Sequence, residues 1–151
     1  MEPTATISST PSGATPLEPA EPKRLDTTLH RVGDLCQALQ QGRADVEPAA
    51  LFSQLRVDLV LHFALEEADS YFGVVLRERP SLSHTLTRLR QEHAAMLEQL
   101  ETLQGLVGDS LRWPELARPT AELVDAFRKH EHEEAELIQE FFLRDDGVGA
   151  D

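Results

Sequence analysis

Apolar residues spaced alternately three and four apart recur in four stretches of this chain, and this spacing constrains its fold more than any other feature of the sequence. Such spacing gathers apolar side chains on one face of an α-helix. No stretch alternates with a period of two for long enough to form a strand. Leucine and alanine are frequent and aromatic residues make up only 5% of the chain, which also favours helices. The sequence therefore predicts an all-α protein.

Turn-forming residues divide the chain into four predicted helices. Their expected bounds are about 25–41, closed by Gly42; 47–77, with Pro48 in the first turn; from after Pro80 to Gly105; and from between Pro114 and Pro119 to about 144. The links are short to moderate, which predicts an antiparallel up-down four-helix bundle over residues 25–144. Residues 1–24 hold five of the nine prolines and are predicted to form a disordered tail. Residues 145–151 are predicted to form a flexible C-terminal tail.

Charge and cysteine content exclude several classes of protein. A formal net charge of −13 repels phosphate backbones and anionic lipids, so we expect no nucleic acid or membrane partner. No apolar run approaches the ~18 residues that a membrane span needs, and the N-terminus lacks the pattern of a secretory signal. The single cysteine, Cys36, cannot form an intramolecular disulfide and is expected to be buried. We therefore expect a cytoplasmic protein.

Three of the six histidines interrupt the apolar stripes at positions that point inward. His93 replaces one apolar residue in the stripe of the third predicted helix, and His130 does so in the fourth. His62 is in register with Leu55 and Leu59 of the second predicted helix. These three imidazoles are therefore predicted to face the interior of the bundle.

The other three histidines are placed differently. His84 and His132 lie off the stripes and are predicted to be exposed. His30 lies one residue, about 100°, around the helix from the in-register Leu29. His30 points inward only if the start of the first helix is rotated or irregular, so its part in any internal site is left open.

Carboxylates follow two of the inward histidines at the same spacing. Glu66 comes four residues after His62, and Glu134 four residues after His130, so each lies one turn along on the histidine's face. The segments HFALEEADSYF and HEHEEAELIQEFF therefore share a His-x3-Glu motif. Because each motif ends a pair of predicted helices, the order suggests two αα-hairpins related by approximate two-fold symmetry.

A cation explains why several polar groups share one apolar interior. Either His-x3-Glu motif alone could be a hydrogen-bonded structural pair. The repetition, the third inward imidazole and the lack of inward Lys or Arg favour a metal, because unpaired buried charges are costly. Imidazole and carboxylate without thiolate suit iron, manganese or zinc. We expect a dinuclear centre with two bridging carboxylates and three terminal imidazoles: Glu66, Glu134, His62, His93 and His130.

These motifs resemble those of the hemerythrin-like (HHE cation-binding) domains. The matching residues are the pair His62 and Glu66, the dipeptide Glu92-His93, and the pair His130 and Glu134. The resemblance implies a four-helix bundle around a non-haem di-iron centre. The third helix has only one inward histidine, which is similar to the carboxylate-richer type of domain rather than to a dedicated oxygen carrier.

The family pattern also has a histidine on the first helix, and here the register position is Leu29 while the histidine is His30. Either that helix shifts, or one metal has fewer protein ligands and the site could hold a single metal. Glu67, Glu92 and Asp69 are expected near the ligands or on the surface.

The resemblance implies iron storage, oxygen or redox sensing, or repair of iron–sulfur clusters under nitrosative stress. Water or hydroxide would complete the coordination, and dioxygen, peroxide or nitric oxide could bind there.

Two alternative functions remain. The first is a di-iron oxidoreductase acting on peroxide or nitric oxide, with Tyr71 as a proton donor, although an ordinary half-buried tyrosine explains that residue as well. The second is a metal-free helical bundle whose acidic surface meets a basic partner.

Overall fold

The computed structural model describes residues 20–42, 47–69 and 71–146, with side chains over residues 24–42, 47–69 and 71–141. These residues form five α-helices, which are α1 (Ala20–Gln40), α2 (Pro48–Glu67), α3 (Phe72–Glu78), α4 (Ser83–Leu106) and α5 (Trp113–Asp146). Single 3₁₀ turns, Pro80–Leu82 and Ser110–Arg112, lead into α4 and α5. No described residue lies in a strand.

The four long helices form the predicted four-helix bundle. Helix α1 packs on α2 and α5, and α4 packs on the same two helices, so each long helix contacts two neighbours around a common core. Helix α1 begins at Ala20, earlier than the predicted start at Leu25, and ends before Gly42, whose φ of 68° suits a glycine. Residues 1–19 and 147–151 of the predicted tails lie outside the described residues. Among the described helices, none is long and apolar enough to cross a membrane.

The predicted apolar stripes line the core. The predicted stripe of α1 is buried throughout and consists of Leu25, Leu29, Val32, Cys36 and Leu39. The predicted stripe of α4 is buried from Leu86 onward, with Leu89, His93, Met96, Leu100 and Leu103. Cys36 is a buried free thiol, as predicted. The main core contains apolar side chains of all four long helices, among them Leu29, Val32, Phe52, Phe63, Leu100 and Phe127.

The second predicted helix does not continue to Arg77, and that prediction is wrong. Helix α2 ends at Glu67, and Ala68 has an extended ψ of 155°. The carbonyl of Ala68 accepts the backbone N–H groups of Tyr71 at 3.0 Å and Gly73 at 3.3 Å, which turns the chain into α3. The sequence ADSY at this point supplies Asp and Ser, whose side chains compete for backbone hydrogen bonds and favour turns.

The turn allows α3 to form a second, smaller core. Phe72 is fully buried, and with Val75 it packs against Leu86, Leu89 and Phe141. These partners come from the start of α4 and the end of α5, so α3 covers the end of the bundle where those helices meet. A straight helix to Arg77 would leave this end uncovered.

A buried carboxylate joins α1 to α2. Asp58 is only 6% exposed, and it accepts hydrogen bonds from Thr28 Oγ1 at 2.6 Å and Gln54 Nε2 at 2.8 Å. Arg24 Nε lies 3.1 Å from the same carboxylate. These donors compensate the burial of a charge and fix the first turns of α1 against the second half of α2.

Candidate metal centre

Four buried side chains from three helices meet inside the bundle. They are Glu66 of α2, His93 of α4, and His130 and Glu134 of α5. One nitrogen or oxygen from each lies within 4.8 Å of those of the other three. None of the four residues is more than 6% exposed. The cluster follows from the sequence, because each residue occupies an inward position on its helix.

The imidazole nitrogens and carboxylate oxygens of this group converge. His93 Nε2 lies 2.9 Å from His130 Nε2 and 3.1 Å from Glu66 Oε2. His130 Nε2 lies 3.2 Å from Glu134 Oε2 and 3.9 Å from Glu66 Oε2. Both imidazoles thus direct Nε2 toward the two carboxylates, which is the arrangement of ligands around a small cation.

A second group adjoins the first and shares one residue with it. His62, Glu66 and Glu131 also bring ligand atoms within 4.8 Å of one another. His62 Nε2 contacts Glu66 Oε1 and lies 2.9 Å from Glu131 Oε1. The two oxygens of Glu66 therefore serve different groups, Oε2 the first and Oε1 the second. With side chains 22% and 34% exposed, His62 and Glu131 make the second group the more accessible one.

Several atoms of the first group are buried without a hydrogen bond. Both oxygens of Glu66, Oε2 of Glu134 and Nδ1 of His93 have no hydrogen-bond partner in the described part of the chain. The Glu66 oxygens lie close to imidazole nitrogens, but not in the geometry of a hydrogen bond. Buried polar atoms left in this state are costly, and a cation between them would satisfy the carboxylates. The donor set therefore fits a metal such as iron, manganese or zinc.

A carboxylate orients the imidazole of His130 through the ring nitrogen that points away from the cluster. Its Nδ1 lies 2.6 Å from Glu92 Oε2, and Glu92 in turn accepts from Arg88 Nη1 at 2.7 Å. Arg88 also donates to Glu133 at 2.8 Å. A hydrogen bond from Nδ1–H to Glu92 leaves Nε2 of His130 as the atom that faces the cluster, which is the usual support of a metal-binding histidine.

His93 is held by aromatic rings. Phe63 stacks on its imidazole with ring centroids 4.0 Å apart and an interplanar angle of 9°. Phe72 lies on a nearly parallel plane with its centroid 6.0 Å away. The turn after α2 is what brings Phe72 to this place. The two phenyl rings shield the His93 side of the cluster from water.

Burial and mutual contacts shift the pKa values of the cluster strongly. Burial acts to lower the pKa of His62, but the hydrogen bond to Glu131 and the adjacent carboxylate of Glu66 outweigh it and raise the pKa to about 10. Burial likewise opposes the rise in the pKa of His130, which Glu134 and Glu66 raise to about 10. Burial raises the pKa of Glu134 to about 8, and Glu66 adds to the rise. Burial acts to raise the pKa of Glu66, yet the surrounding imidazoles hold it well below its usual range.

The structure brings together five of the six residues expected in the site: His62, Glu66, His93, His130 and Glu134. It does not bring His30 to them. The His30 side chain is 70% exposed and its Nε2 lies 3.5 Å from Asp26, while Leu29 is buried in the core at the in-register position.

The predicted exposure of His84 and His132 is confirmed. Of the three acidic residues expected nearby, Glu92 contacts His130, Glu67 lies 3.7 Å from His93, and Asp69 is exposed.

Sequence reasoning missed Glu131. This residue is one position, about 100°, around α5 from His130, so the stripe of α5 does not select it. Its proximity to His62 depends on how α5 and α2, diagonal helices of the bundle, face each other across the interior. Only a cross-helix pairing, which single-helix periodicity does not contain, could have revealed it.

A family model for the hemerythrin HHE cation-binding domain matches residues 19–142. The chain belongs to this family. The match covers α1, α2 and α4 in full and most of α5, and it includes every residue of both ligand groups. Comparisons with curated proteins and with solved structures found no match.

We expect this HHE domain, freed of metal with a chelator, to lose stability as the pH rises from about 6.5 to about 10. Between these values the unfolded chain releases the protons of His62 and His130 while the folded chain keeps them, so rising pH favours unfolding. Glu134 acts in the same direction between about 4.5 and 8. Urea unfolding followed by circular dichroism over this pH range measures the effect.

A His62→Gln variant should reduce the slope of stability against pH, because one of the shifted groups is removed. His132→Gln is the matched control, since His132 is exposed and pairs only with the next turn at Glu136. Equal slopes in the wild type and the His62→Gln variant would contradict the assignment.

Proposed function

We propose that this protein binds two iron ions, one in each of the two ligand groups that share Glu66. The observation that carries the proposal is the Glu66 carboxylate, which is buried, lacks a hydrogen bond and directs one oxygen to each group. Three imidazoles with carboxylates and without thiolate support iron, with manganese and zinc as the other metals that suit this donor set.

The proposed ligands differ from the sequence expectation in two residues. Glu134 contacts the buried group alone, so we assign it as a terminal ligand rather than a bridge. Glu131 supplies the outer group with a ligand from α5, where the family resemblance implied a histidine from α1. His62 and Glu131 hold the outer ion, and His93, His130 and Glu134 hold the inner one.

Seven ligand positions, with Glu66 counted in both groups, do not fill two octahedra. Bound iron would therefore keep exchangeable positions that accept dioxygen, peroxide or nitric oxide. The partly exposed His62 and Glu131 place such positions nearer to solvent at the outer ion, while the phenyl rings of Phe63 and Phe72 keep water from the inner histidine. This arrangement suits a protein that senses or stores iron, or that responds to oxygen, redox or nitrosative stress.

Metal content tests the proposal directly. We expect wild-type protein loaded with ferrous iron under anaerobic conditions and then desalted to retain two irons per chain, measured by plasma mass spectrometry. Glu131→Ala should retain one, because it removes a ligand of the outer group only. Glu66→Ala should retain less than one, because the shared carboxylate is lost.

Two variants serve as controls for that experiment. His30→Ala and His132→Ala should both retain two irons, since both imidazoles are exposed and outside the groups. If the wild type and a His62→Ala/His130→Ala double variant are both free of metal and equally heat-stable, the chain is a metal-free bundle and the proposal fails.

Glu92→Ala should weaken iron binding by about 10- to 100-fold, because the hydrogen bond that orients His130 is lost. Glu92→Gln should restore part of the affinity, since the amide oxygen can still accept from Nδ1–H. Glu133→Ala is the matched control, because it removes the other partner of Arg88 without touching His130. Competition with a coloured chelator measures the affinities, and equal losses in the Glu92→Ala and Glu133→Ala variants would count against the assigned role.

A second candidate function is that of a di-iron oxidoreductase acting on peroxide or nitric oxide. The observation in its favour is Tyr71, whose pKa is raised by burial and by the nearby charge of Glu134. The phenol is therefore protonated at neutral pH, as a proton donor must be, and it lies near Glu134 of the ligand group. Tyr71→Phe should lower peroxide turnover by about 100-fold at unchanged iron content. Stoichiometric binding without turnover in the wild type would reject the enzyme.

A further inference from the structure

The outward face of α2 is apolar. Of the seven large apolar side chains that are exposed in the described part of the chain, four lie on this helix: Val57, Val60, Leu61 and Leu65, each 44–49% exposed. Their spacing of three, one and four residues places them on one face of the helix. With Ala64, which is exposed between them, they define what we call the α2 outer face.

This face also lacks acidic residues. The exposed residues of α2 from its start to Leu65 are Ala50, Ser53, Arg56, Val57, Val60, Leu61, Ala64 and Leu65. Arg56 is the only charged residue among them, in a chain with 27 acidic residues. Asp58 and Glu66 of the same helix are buried. The strongly acidic chain therefore presents one surface where a second acidic body would meet little repulsion.

We propose that the α2 outer face binds the same face of a second copy of the chain. A basic partner would be drawn to the acidic surfaces instead, and an anionic membrane would be repelled by the net charge of −13. Two copies repel one another as well, so the neutral face is where they can approach. The spacing of Val57, Val60 and Ala64, three and then four residues, is the pattern by which paired helices interlock.

The arrangement of charges favours an antiparallel, two-fold pairing. Arg56 and Glu67 are eleven residues apart, which is about three helical turns, so they lie on the same edge of α2. In an antiparallel pair related by a two-fold axis near Leu61, like edges face each other. Arg56 of one copy then lies beside Glu67 of the second copy, and this contact occurs twice.

The size of the face indicates a reversible dimer. A stable interface buries about 800 Å² on each partner, and α2, with its 20 residues, is about 30 Å long. A helix face of this length supplies only part of that area. The dimer should therefore dissociate on dilution.

Sedimentation velocity on the full chain over a wide concentration range tests the proposal. We expect a monomer at low concentration and a dimer at high concentration, strengthened by added salt because salt screens the repulsion between the acidic copies. Leu61→Glu should weaken the dimer by about 100-fold or more, since it buries charges at the two-fold axis. Leu111→Glu is the matched control, because Leu111 is 89% exposed on another element, and it should leave the dimer unchanged.

Disulfide trapping tests the geometry separately. Leu61→Cys should cross-link rapidly under mild oxidation, because residue 61 lies near its own copy across the axis, and the buried Cys36 does not compete. Leu111→Cys should cross-link slowly. A wild type that stays monomeric at every concentration, a Leu61→Glu variant that dimerises like the wild type, or equal trapping of the two cysteine variants would each overturn the proposal. Iron content is not involved, so these outcomes are independent of the metal-binding test.

Discussion

The buried carboxylate of Glu66 is the constraint around which the interior of this bundle is organised. Three imidazoles from three helices lie near its two oxygens, and neither oxygen has a hydrogen bond within the described residues. A carboxylate in that position is costly unless a positive charge approaches it. In the absence of metal, His62 and His130 supply that charge by holding protons, which explains their raised pKa values. A cation would replace those protons, so binding and folding of this HHE domain are coupled.

The rest of the fold keeps this cluster in place from three sides. Asp58 of α2 accepts a hydrogen bond from α1 one turn before His62. Helix α1 supplies no ligand, but through this contact it fixes the position of α2, which supplies His62 and Glu66. Glu92, which belongs to α4, restrains the imidazole of His130 through a hydrogen bond to Nδ1. The turn after α2 brings Phe72 beside His93 and closes the end of the bundle. The ligands therefore stand on helices whose relative positions are set by contacts outside the cluster.

Periodicity correctly predicted those features that depend only on which face of a single helix a residue occupies. The intact stripe of α5 separated His130 from His132, and that of α4 placed His93 inside. Periodicity did not predict those features that depend on how two segments of the chain lie relative to each other. Glu131 reaches His62 across the interior of the bundle, from a helix diagonally opposite α2. The helix break at Ala68 places Phe72 in an apolar pocket that other helices form. The position of His30 also depends on packing between segments. Leu29 fits into the core, and this fixes α1 in the rotation that turns His30 outward.

Helix α2 is apolar on its outward side as well as on its inward side. Asp58, His62 and Glu66, spaced four apart, turn toward the interior, while Val57, Leu61 and Leu65, one residue earlier, turn outward. Together with the buried Leu55, Leu59 and Phe63, this makes the helix apolar on nearly every side, and such a helix gives no amphipathic signal. The inward side of α2 thus combines the polar residues of the cluster with apolar core residues, and the outward side is apolar as well. That outward side is the face on which we propose that a second chain packs.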